Sequence, residues 1–367
     1  MAPKKLALRR KLLPPVVVIA LISVMGACTS CAPGYVARAG IEEAKILWRR
    51  QDIAKLVAAE DTDEALRKKL SLVLEARDYA AQLGLKPDRS FTKYSKVDRD
   101  DLLWVISATE KTSFEPYTWW FPIVGTVPYK GFFEKADAVA AGKELSEKGL
   151  DIYIRSSPAF STLGWFNDPL LSTTVKFDEI ALVDTVIHEI LHNTIWIKNN
   201  VPFNETLANF IGARGVEAFF IQKYGADHLL VQQSQARWKE ELEYAKFLAE
   251  TVDALKTLYA SCGKEEAASK RMELLTQRKV AWEEAHPGAG RYRSIIEGMN
   301  NAVIVAHQIY LTEPWLFEDL FVLCEGKLPL FIERIKELPG RIAKKGAQPY
   351  GALRDMISEL RSESSAK

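Results

Sequence analysis

The sequence lacks an excess of charge of either sign. Lys and Arg together number 49 against 48 Asp and Glu, so the formal net charge is +1. Nucleic-acid-binding proteins usually carry a clear basic excess, and this balance indicates neither a nucleic acid nor a broadly acidic partner. Repeats of fixed period and low-complexity linkers are also lacking. With 367 residues, 48% of them hydrophobic, the chain can bury a core as one large domain or two smaller ones.

Long apolar runs are missing too, and the apolar segment near the amino terminus, Val16–Met25, is short. It follows a basic stretch and precedes two small residues, Gly26 and Ala27. This order is typical of a signal peptide, and the segment is too short to indicate a membrane span. We therefore assign residues 1–27 to a signal peptide and residues 28–40 to a tether, neither of which belongs to the fold.

Cysteine is scarce, with four residues in the chain, and two of them follow the apolar segment. Met25-Gly26-Ala27-Cys28 resembles a bacterial lipobox, in which the signal is cut before a cysteine that receives lipid. Cys31 is a second candidate because Ser30 before it is also small. The sequence thus predicts a lipid-anchored protein of the bacterial cell envelope that faces the periplasm. An ordinary cleaved signal with incidental cysteines is the alternative.

The other two cysteines, Cys262 and Cys324, lie in the carboxy-terminal half. An exported protein can oxidise such a pair, and a disulfide between two helices is one interpretation. Two buried free thiols are the other, because sequence gives no distance between them.

Histidine is scarce as well, yet two of the five histidines stand in His188-Glu189-Ile190-Leu191-His192. On a helix His188 and His192 lie one turn apart on one face, where two imidazoles can hold one zinc ion. Glu189 lies beside them and can accept a proton from the attacking water. The alternative is a helix with two partly buried histidines and an exposed glutamate.

A third ligand is available in Glu205, thirteen residues after His192. Asn204 can cap a second helix that runs to Tyr224, so two antiparallel helices would point Glu205 at the histidines. A metal-bound histidine usually donates its other ring N–H to a carboxylate or amide, and Asn209 and Asp184 are candidates to accept that hydrogen bond. An ordinary helix-surface role for Asn209 is equally consistent with the sequence.

The motif with Glu205 predicts a zinc hydrolase, most simply a peptidase, and peptide hydrolysis also needs a hydrogen-bond donor for the tetrahedral oxyanion. Tyr310 and His307 lie three residues apart on one face of a late helix, and we favour Tyr310. A core tyrosine and a satisfied histidine are the plainer interpretations. An extended substrate could pair with an exposed strand edge, for which Ser161–Phe166 is our candidate.

Hydrophobic periodicity predicts an α+β fold that is mainly helical, with a small β-sheet upstream of the motif helix. We expect one domain over residues 41–350, comprising a helical cover (41–115), the sheet with the active-site helices (116–226) and a helical part (227–350). A polar tail follows at 351–367. Specific expectations are helices at Phe177–Ile197, Ser294–Leu311 and Leu328–Leu338, and strands at Asp151–Arg155 and Thr173–Phe177.

At these motifs the sequence resembles a bacterial family called putative aminopeptidases, which has gluzincin-type zinc signatures. The matching segments occur in the family's order: Trp119–Gly125, Pro128–Phe133, Ser161–Thr173, His188–His192 and Phe203–Ala208. The resemblance implies a gluzincin-like zinc metallopeptidase with His188, His192 and Glu205 as ligands and Glu189 as catalytic base. It also fits an exported, lipid-anchored protein.

The sequence departs from the well-known zinc aminopeptidases in lacking their Gly-x-Met-Glu-Asn stretch, which binds the substrate's free amine. We therefore expect zinc-dependent hydrolysis of peptide bonds, with the aminopeptidase direction implied by the family alone. Two alternatives are an envelope binding or scaffold protein that retains zinc with little turnover, and a zinc hydrolase of a non-peptide amide in the cell wall.

Overall fold

The computed structural model describes residues 41–42, 44–121, 125–157, 169–287 and 290–365. The expected signal peptide, both candidate lipid-accepting cysteines (Cys28 and Cys31) and the candidate edge strand Ser161–Phe166 lie outside the described residues. Within the described residues, no helix combines the length and apolarity that a bilayer crossing requires.

Helices make up most of the described chain. The first half contains α1 (Ile53–Ala58), α2 (Glu64–Gln82), α3 (Lys135–Glu147), α4 (Ser172–Val175), α5 (Glu179–Thr194) and α6 (Val201–Tyr224). The second half contains α7 (Leu229–Ser261), α8 (Lys264–Ala285), α9 (Arg293–Glu297), α10 (Asn301–Leu311), α11 (Trp315–Leu323), α12 (Leu328–Lys336), α13 (Leu338–Lys345) and α14 (Pro349–Ser365).

The strands form small sheets upstream of α5. They are β1 (Gln51–Asp52), β2 (Lys93–Ser95), β3 (Leu103–Thr109), β4 (Trp119–Phe121), β5 (Gly125–Val127), β6 (Lys130–Phe132), β7 (Asp151–Ser157) and β8 (Leu170–Leu171). In the sheet nearest the site, β3 lies between β6 and β7 and is antiparallel to both. A second sheet has the order β1-β2-β8, and β4 pairs with β5. The prediction of a mainly helical α+β fold is confirmed.

The main hydrophobic core surrounds α5 and α6, with α2 and the last helices packed around them. Two glycines of α6 allow it to approach α5 closely. A Cβ on Gly212 would lie 2.1 Å from Asp184 Oδ1, and one on Gly215 would lie 2.9 Å from Ile187 Cδ1. Because real Cβ atoms essentially never come that close to another heavy atom, larger residues would push the two helices apart.

Several predicted boundaries differ from the structure. Thr173–Phe177, predicted as a strand, instead contains most of α4, which begins directly after β8, and Ser172 Oγ at its start accepts from Val97 N. The predicted helix Ser294–Leu311 is divided into α9 and α10, since Asn300 caps the second helix by accepting from Val303 N.

The predicted helix Leu328–Leu338 ends at Lys336, and α13 begins two residues later with proline in its first turn. Residues 351–365 of the segment expected as a tail belong to α14. Leu353, Met356 and Ile357 of this helix are buried at helical spacing, which explains why the segment is ordered.

Both cysteines of the carboxy-terminal half are free thiols, which differs from the disulfide that the sequence left open. Cys324 is buried in the main core next to the α11 end. Cys262 follows α7, and its Sγ donates to the Leu258 carbonyl at 3.4 Å. The two thiols therefore belong to different parts of the fold.

Candidate metal centre

The helix pair α5–α6 carries the His-Glu-x-x-His motif. Asp178 starts α5 by accepting from Ala181 N at 2.9 Å, and Arg237 holds the same carboxylate with two hydrogen bonds of 2.9 Å. The face of α5 opposite the motif is buried in the main core. The histidines therefore lie on the side of the helix that faces the α6 amino terminus.

The turn between the two helices is closed by Asn204. Its side chain accepts from Ile197 N at 2.9 Å and donates to Ile197 O at 2.8 Å, and it is almost completely buried. The helix begins earlier, at Val201 after Asn200, so the prediction that Asn204 caps it was wrong. These two bonds fix the first turn of α6 and thereby direct Glu205 back toward α5.

The ligand atoms predicted from the sequence converge in the structure. His188 Nε2 lies 3.2 Å from Glu205 Oε2, and His192 Nε2 lies 3.6 Å from Glu205 Oε1. One ligand atom from each of the three side chains falls within 4.8 Å of the others. The three side chains are largely buried, which keeps them in fixed rotamers.

The electrostatics of the cluster follow from this convergence. Burial would lower the pKa of His188, but the hydrogen bond with Glu205 and the neighbouring carboxylates raise it above its usual range. Burial would likewise raise the pKa of Glu205, yet the hydrogen bonds from His188 and His192 hold it well below its usual range. The ionised Glu205 carboxylate thus lies between the two imidazole rings.

The donor set suits a divalent metal ion. Two imidazole nitrogens and a carboxylate are typical protein ligands of zinc, and three protein ligands leave a position for water or substrate. The other ring nitrogen of His192, Nδ1, is buried and has no hydrogen-bond partner among the described residues. The edge of Trp196 lies against the His192 ring, with centroids 5.2 Å apart.

Glu189 follows His188 on α5 and is exposed to solvent. Its charge helps to raise the pKa of His188 and also raises that of Tyr310, which places the carboxylate beside the ligand cluster. Glu189 is not one of the three converging side chains. A carboxylate in this position is free to exchange a proton with a reactant.

The two candidate supporting residues have different positions. Asn209 does not contact the histidines. Its Nδ2 donates to the Tyr310 carbonyl at 3.1 Å and to Glu241 Oε1 at 3.4 Å, which ties α6 to α10 and α7. Asp184 lies behind His188 against Gly212, and burial raises its pKa to about 6 despite the nearby His188.

Tyr310 and His307 lie on the face of α10 that borders the site. Burial raises the pKa of Tyr310, and the charge of Glu205 raises it further, so its hydroxyl stays protonated. Burial and then the Arg155 charge lower the pKa of His307 to about 4, so this ring is neutral at neutral pH. His307 Nε2 lies 3.4 Å from Tyr153 Oη.

The site has three further residues that sequence reasoning missed: Tyr129, Tyr153 and Arg155. Tyr129 precedes β6, and its pKa is raised by burial and responds to the charges of both Arg155 and Glu205. Tyr153 and Arg155 are alternate residues of β7. The sequence signal that could have found them is the alternation Asp151-Ile152-Tyr153-Ile154-Arg155, which places polar side chains on one strand face.

Comparisons with known proteins give one assignment. Neither a curated protein nor a solved structure matches the chain. The model of a protein family described as "Putative aminopeptidase" matches residues 34–348. This match spans most of the chain and includes both helices of the metal centre and the elements β7 and α10. The chain therefore belongs to the Putative aminopeptidase family.

Proposed function

We propose that this protein is a zinc-dependent peptidase that hydrolyses peptide bonds at the His188–His192–Glu205 cluster. The observation that carries the proposal is the approach of both Nε2 atoms to the two oxygens of Glu205, at 3.2 and 3.6 Å. Two neutral donors with one carboxylate leave a bound zinc ion with net positive charge. Such an ion polarises a substrate carbonyl and lowers the pKa of a water molecule.

Glu189 is the general base in this proposal. Its carboxylate accepts a proton from the attacking water and delivers it to the amine nitrogen as the peptide bond breaks. Tyr310 supplies a hydrogen bond from Oη to the oxyanion, because burial keeps its hydroxyl protonated. The exposed position of Glu189 next to His188 and the half-buried position of Tyr310 near Glu205 support these two roles.

The family description alone supports the aminopeptidase direction, since no residue of the described site is assigned to a free amine. A peptide library with free and blocked amino termini tests it. Loss of the amino-terminal residue only from free peptides is the expected result. Cleavage of blocked peptides at internal bonds would instead make the protein an endopeptidase of the same chemistry.

The decisive experiment combines metal analysis with turnover. We expect one zinc per chain, lost in His192→Ala and Glu205→Ala, and peptide hydrolysis that disappears in Glu189→Gln while zinc stays bound. Full metal retention without hydrolysis of any peptide would favour an envelope scaffold protein. Turnover restricted to wall fragments would favour hydrolysis of a cell-wall amide. Absence of stoichiometric metal in protein purified without chelators would refute the metal centre itself.

The proposed place of action is the periplasmic side of a bacterial envelope, with the protein held by lipid on Cys28 or Cys31. The support is the lipobox-like sequence at the amino terminus. Mass spectrometry of the mature amino terminus distinguishes the two cysteines. A terminus without lipid on either residue would reject the anchor and leave the peptidase proposal intact.

A further inference from the structure

Strand β7 and helix α10 run side by side in the same direction. At their beginnings, Asn301 N donates to Asp151 Oδ2 at 3.0 Å and Asn300 Nδ2 donates to Ile152 O at 3.1 Å. Further along, the Tyr153 ring reaches His307, with centroids 5.8 Å apart. The two elements are therefore in register from their first residues, so we expect their later residues to approach each other as well.

The next residues along both elements bring Arg155 to Tyr310. Alternate residues share a strand face, so Arg155 lies on the same face of β7 as Tyr153, about 6.6 Å further along. The intervening residue, Ile154, points the other way, since its Cδ1 would lie 3.0 Å from a Cβ on Gly142 of α3. On α10, Tyr310 follows His307 by three residues and shares its face.

Helix α10 is in turn hydrogen-bonded to α6, close to Glu205. Thr312 N donates to Thr206 Oγ1 at 3.1 Å, and Asn209 Nδ2 donates to the Tyr310 carbonyl at 3.1 Å. The pKa of Tyr310 is consistent with this arrangement, since burial raises it, the charge of Glu205 raises it further and the charge of Arg155 lowers it. The register of β7 and α10 thus brings Arg155 toward Tyr310, which lies near Glu205.

Other arginines withdrawn from water have protein partners: Arg67 and Arg77 donate to backbone carbonyls, whereas Arg214 and Arg271 pair with carboxylates. Arg155 is only partly exposed, yet no carboxylate among the described residues forms an ion pair with it. A guanidinium withdrawn from water without a counter-ion is costly, and its planar fork matches a carboxylate with two hydrogen bonds.

We infer that Arg155 binds a carboxylate of the substrate close to the bond that is cut. The inference rests on the proposed peptidase function and adds a substrate class, peptides with an anionic group beside the scissile bond. Two sources share this chemistry. One is the terminal α-carboxylate, which in an aminopeptidase would restrict cleavage to very short peptides, and the other is an Asp or Glu side chain.

Matched peptide pairs distinguish these sources in the zinc-loaded full-length protein. One pair differs only in a free or amidated carboxy terminus, and the other only in Asp or Asn beside the cleaved bond. We expect the acid member of one pair to be preferred, and Arg155→Gln to lower its kcat/KM by about 10- to 100-fold, mainly through KM, because one charged hydrogen-bonded contact is lost. The neutral member should be unaffected.

Two variants make the result specific. Arg155→Lys keeps the charge but not the fork, so it should restore part of the preference. Arg293→Gln removes an exposed arginine of α9 that pairs with Glu297, and it should behave as the wild type. Equal cleavage of acid and neutral peptides by the wild type, or an equal loss on both with Arg155→Gln, would overturn the inference.

Calorimetric binding separates this inference from the proposed function. The zinc-loaded Glu189→Gln protein should bind the acid peptide more tightly than its neutral partner, and adding Arg155→Gln should abolish that difference. Preferential binding without hydrolysis by the wild type would refute the peptidase proposal and uphold the role of Arg155. Equal binding of both peptides would refute the role of Arg155 whatever the enzyme hydrolyses.

Discussion

Removal of the Arg271 guanidinium should destabilise the contact between β7 and α10, which Asp151 makes by binding both Arg271 and Asn301. Arg271 and Asp151 form an ion pair with contacts of 2.6 and 2.8 Å, and their side chains are 5% and 7% exposed. Arg271 also donates to the Lys111 carbonyl at 2.9 Å. In Arg271→Met the Asp151 carboxylate would remain buried without its counter-ion.

The expected cost follows from what Asp151 keeps. Breaking one side of a buried ion pair costs roughly 3–5 kcal/mol, because the remaining charge is left uncompensated. Asp151 still accepts from Asn301 N at 3.0 Å, so we expect the lower end of this range, about 3 kcal/mol. The double variant Arg271→Met/Asp151→Asn removes the stranded charge and should recover most of that loss.

Urea unfolding of the two variants measures these free energies directly, with Arg293→Met as the control. The Arg293–Glu297 pair is exposed, and such pairs one helical turn apart contribute only about 0.3–0.5 kcal/mol. The reasoning would be refuted by an Arg271→Met protein as stable as Arg293→Met. It would also fail if the double variant were no more stable than Arg271→Met alone.

The same variant distinguishes the role of the β7–α10 contact from that of the His188–His192–Glu205 cluster. The three candidate ligands lie on α5 and α6, whereas the β7–α10 contact fixes the two elements that carry Arg155 and Tyr310. Folded Arg271→Met protein should therefore retain zinc while its kcat/KM for peptides falls. Equal loss of zinc and turnover would show that the two parts of the site are not separable in this way.

Three further changes test the site. In Gly212→Ala the new Cβ would lie 2.1 Å from Asp184 Oδ1, so we expect overpacking to cost about 1–3 kcal/mol of stability and to weaken zinc retention. Gly340→Ala is the control, because its Cβ would meet nothing within 4 Å. Equal stability and metal content of the two variants would contradict this expectation. Burial raises the pKa of Glu241 from 4.5 to about 7 in the folded protein. The folded protein therefore holds this proton more tightly than the unfolded chain, and it loses stability as the pH rises between these two values. Glu241→Gln should accordingly stabilise the protein at pH 8, by at most about 3 kcal/mol, and hardly at pH 4.5; a pH-independent change in melting temperature would oppose it. Tyr310→Phe should lower kcat by roughly 10²–10³ with KM little changed, as for loss of an oxyanion donor, and unaltered steady-state kinetics would exclude that role.

The convergence of His188, His192 and Glu205 was predictable because its determinants are local. His188 and His192 need only a helix, and Glu205 needs only the helix that follows after a short turn. The sequence also pointed to Asn204 but assigned it the wrong task. Its side chain closes the turn by binding both backbone groups of Ile197, a contact that depends on how the chain leaves α5.

The sheet was predicted only in part. Strand β7 was recognised because its polar and apolar residues alternate, whereas β3 was missed. Its residues Leu103–Thr109 are mostly buried on both faces, since β3 lies between two strands and packs against helices. A strand buried on both faces shows no alternation, so its pattern is not distinguishable from that of a buried helix segment.

Arg155 could not be assigned to the site from sequence because its position depends on long-range contacts. The pairing of β7 with α10 is fixed by Asp151, which binds Arg271 and Asn301 from two distant helices. Helix α10 is then fixed to α6 through Asn209 and Thr312. Each of these bonds joins residues about a hundred or more positions apart, which no local pattern reveals.

These long-range bonds also determine which parts of the site can move independently. Asn209 binds the Tyr310 backbone one turn after Glu205, so a shift of α10 must either break this bond or displace the start of α6. The His188–His192 pair lies on α5, which is held by the core and by the Arg237–Asp178 pair instead. We therefore expect a displacement of α10 to affect Glu205 more directly than the two histidines. Substitutions along α10 should consequently change metal affinity through Glu205 whenever they loosen the Asn209 contact.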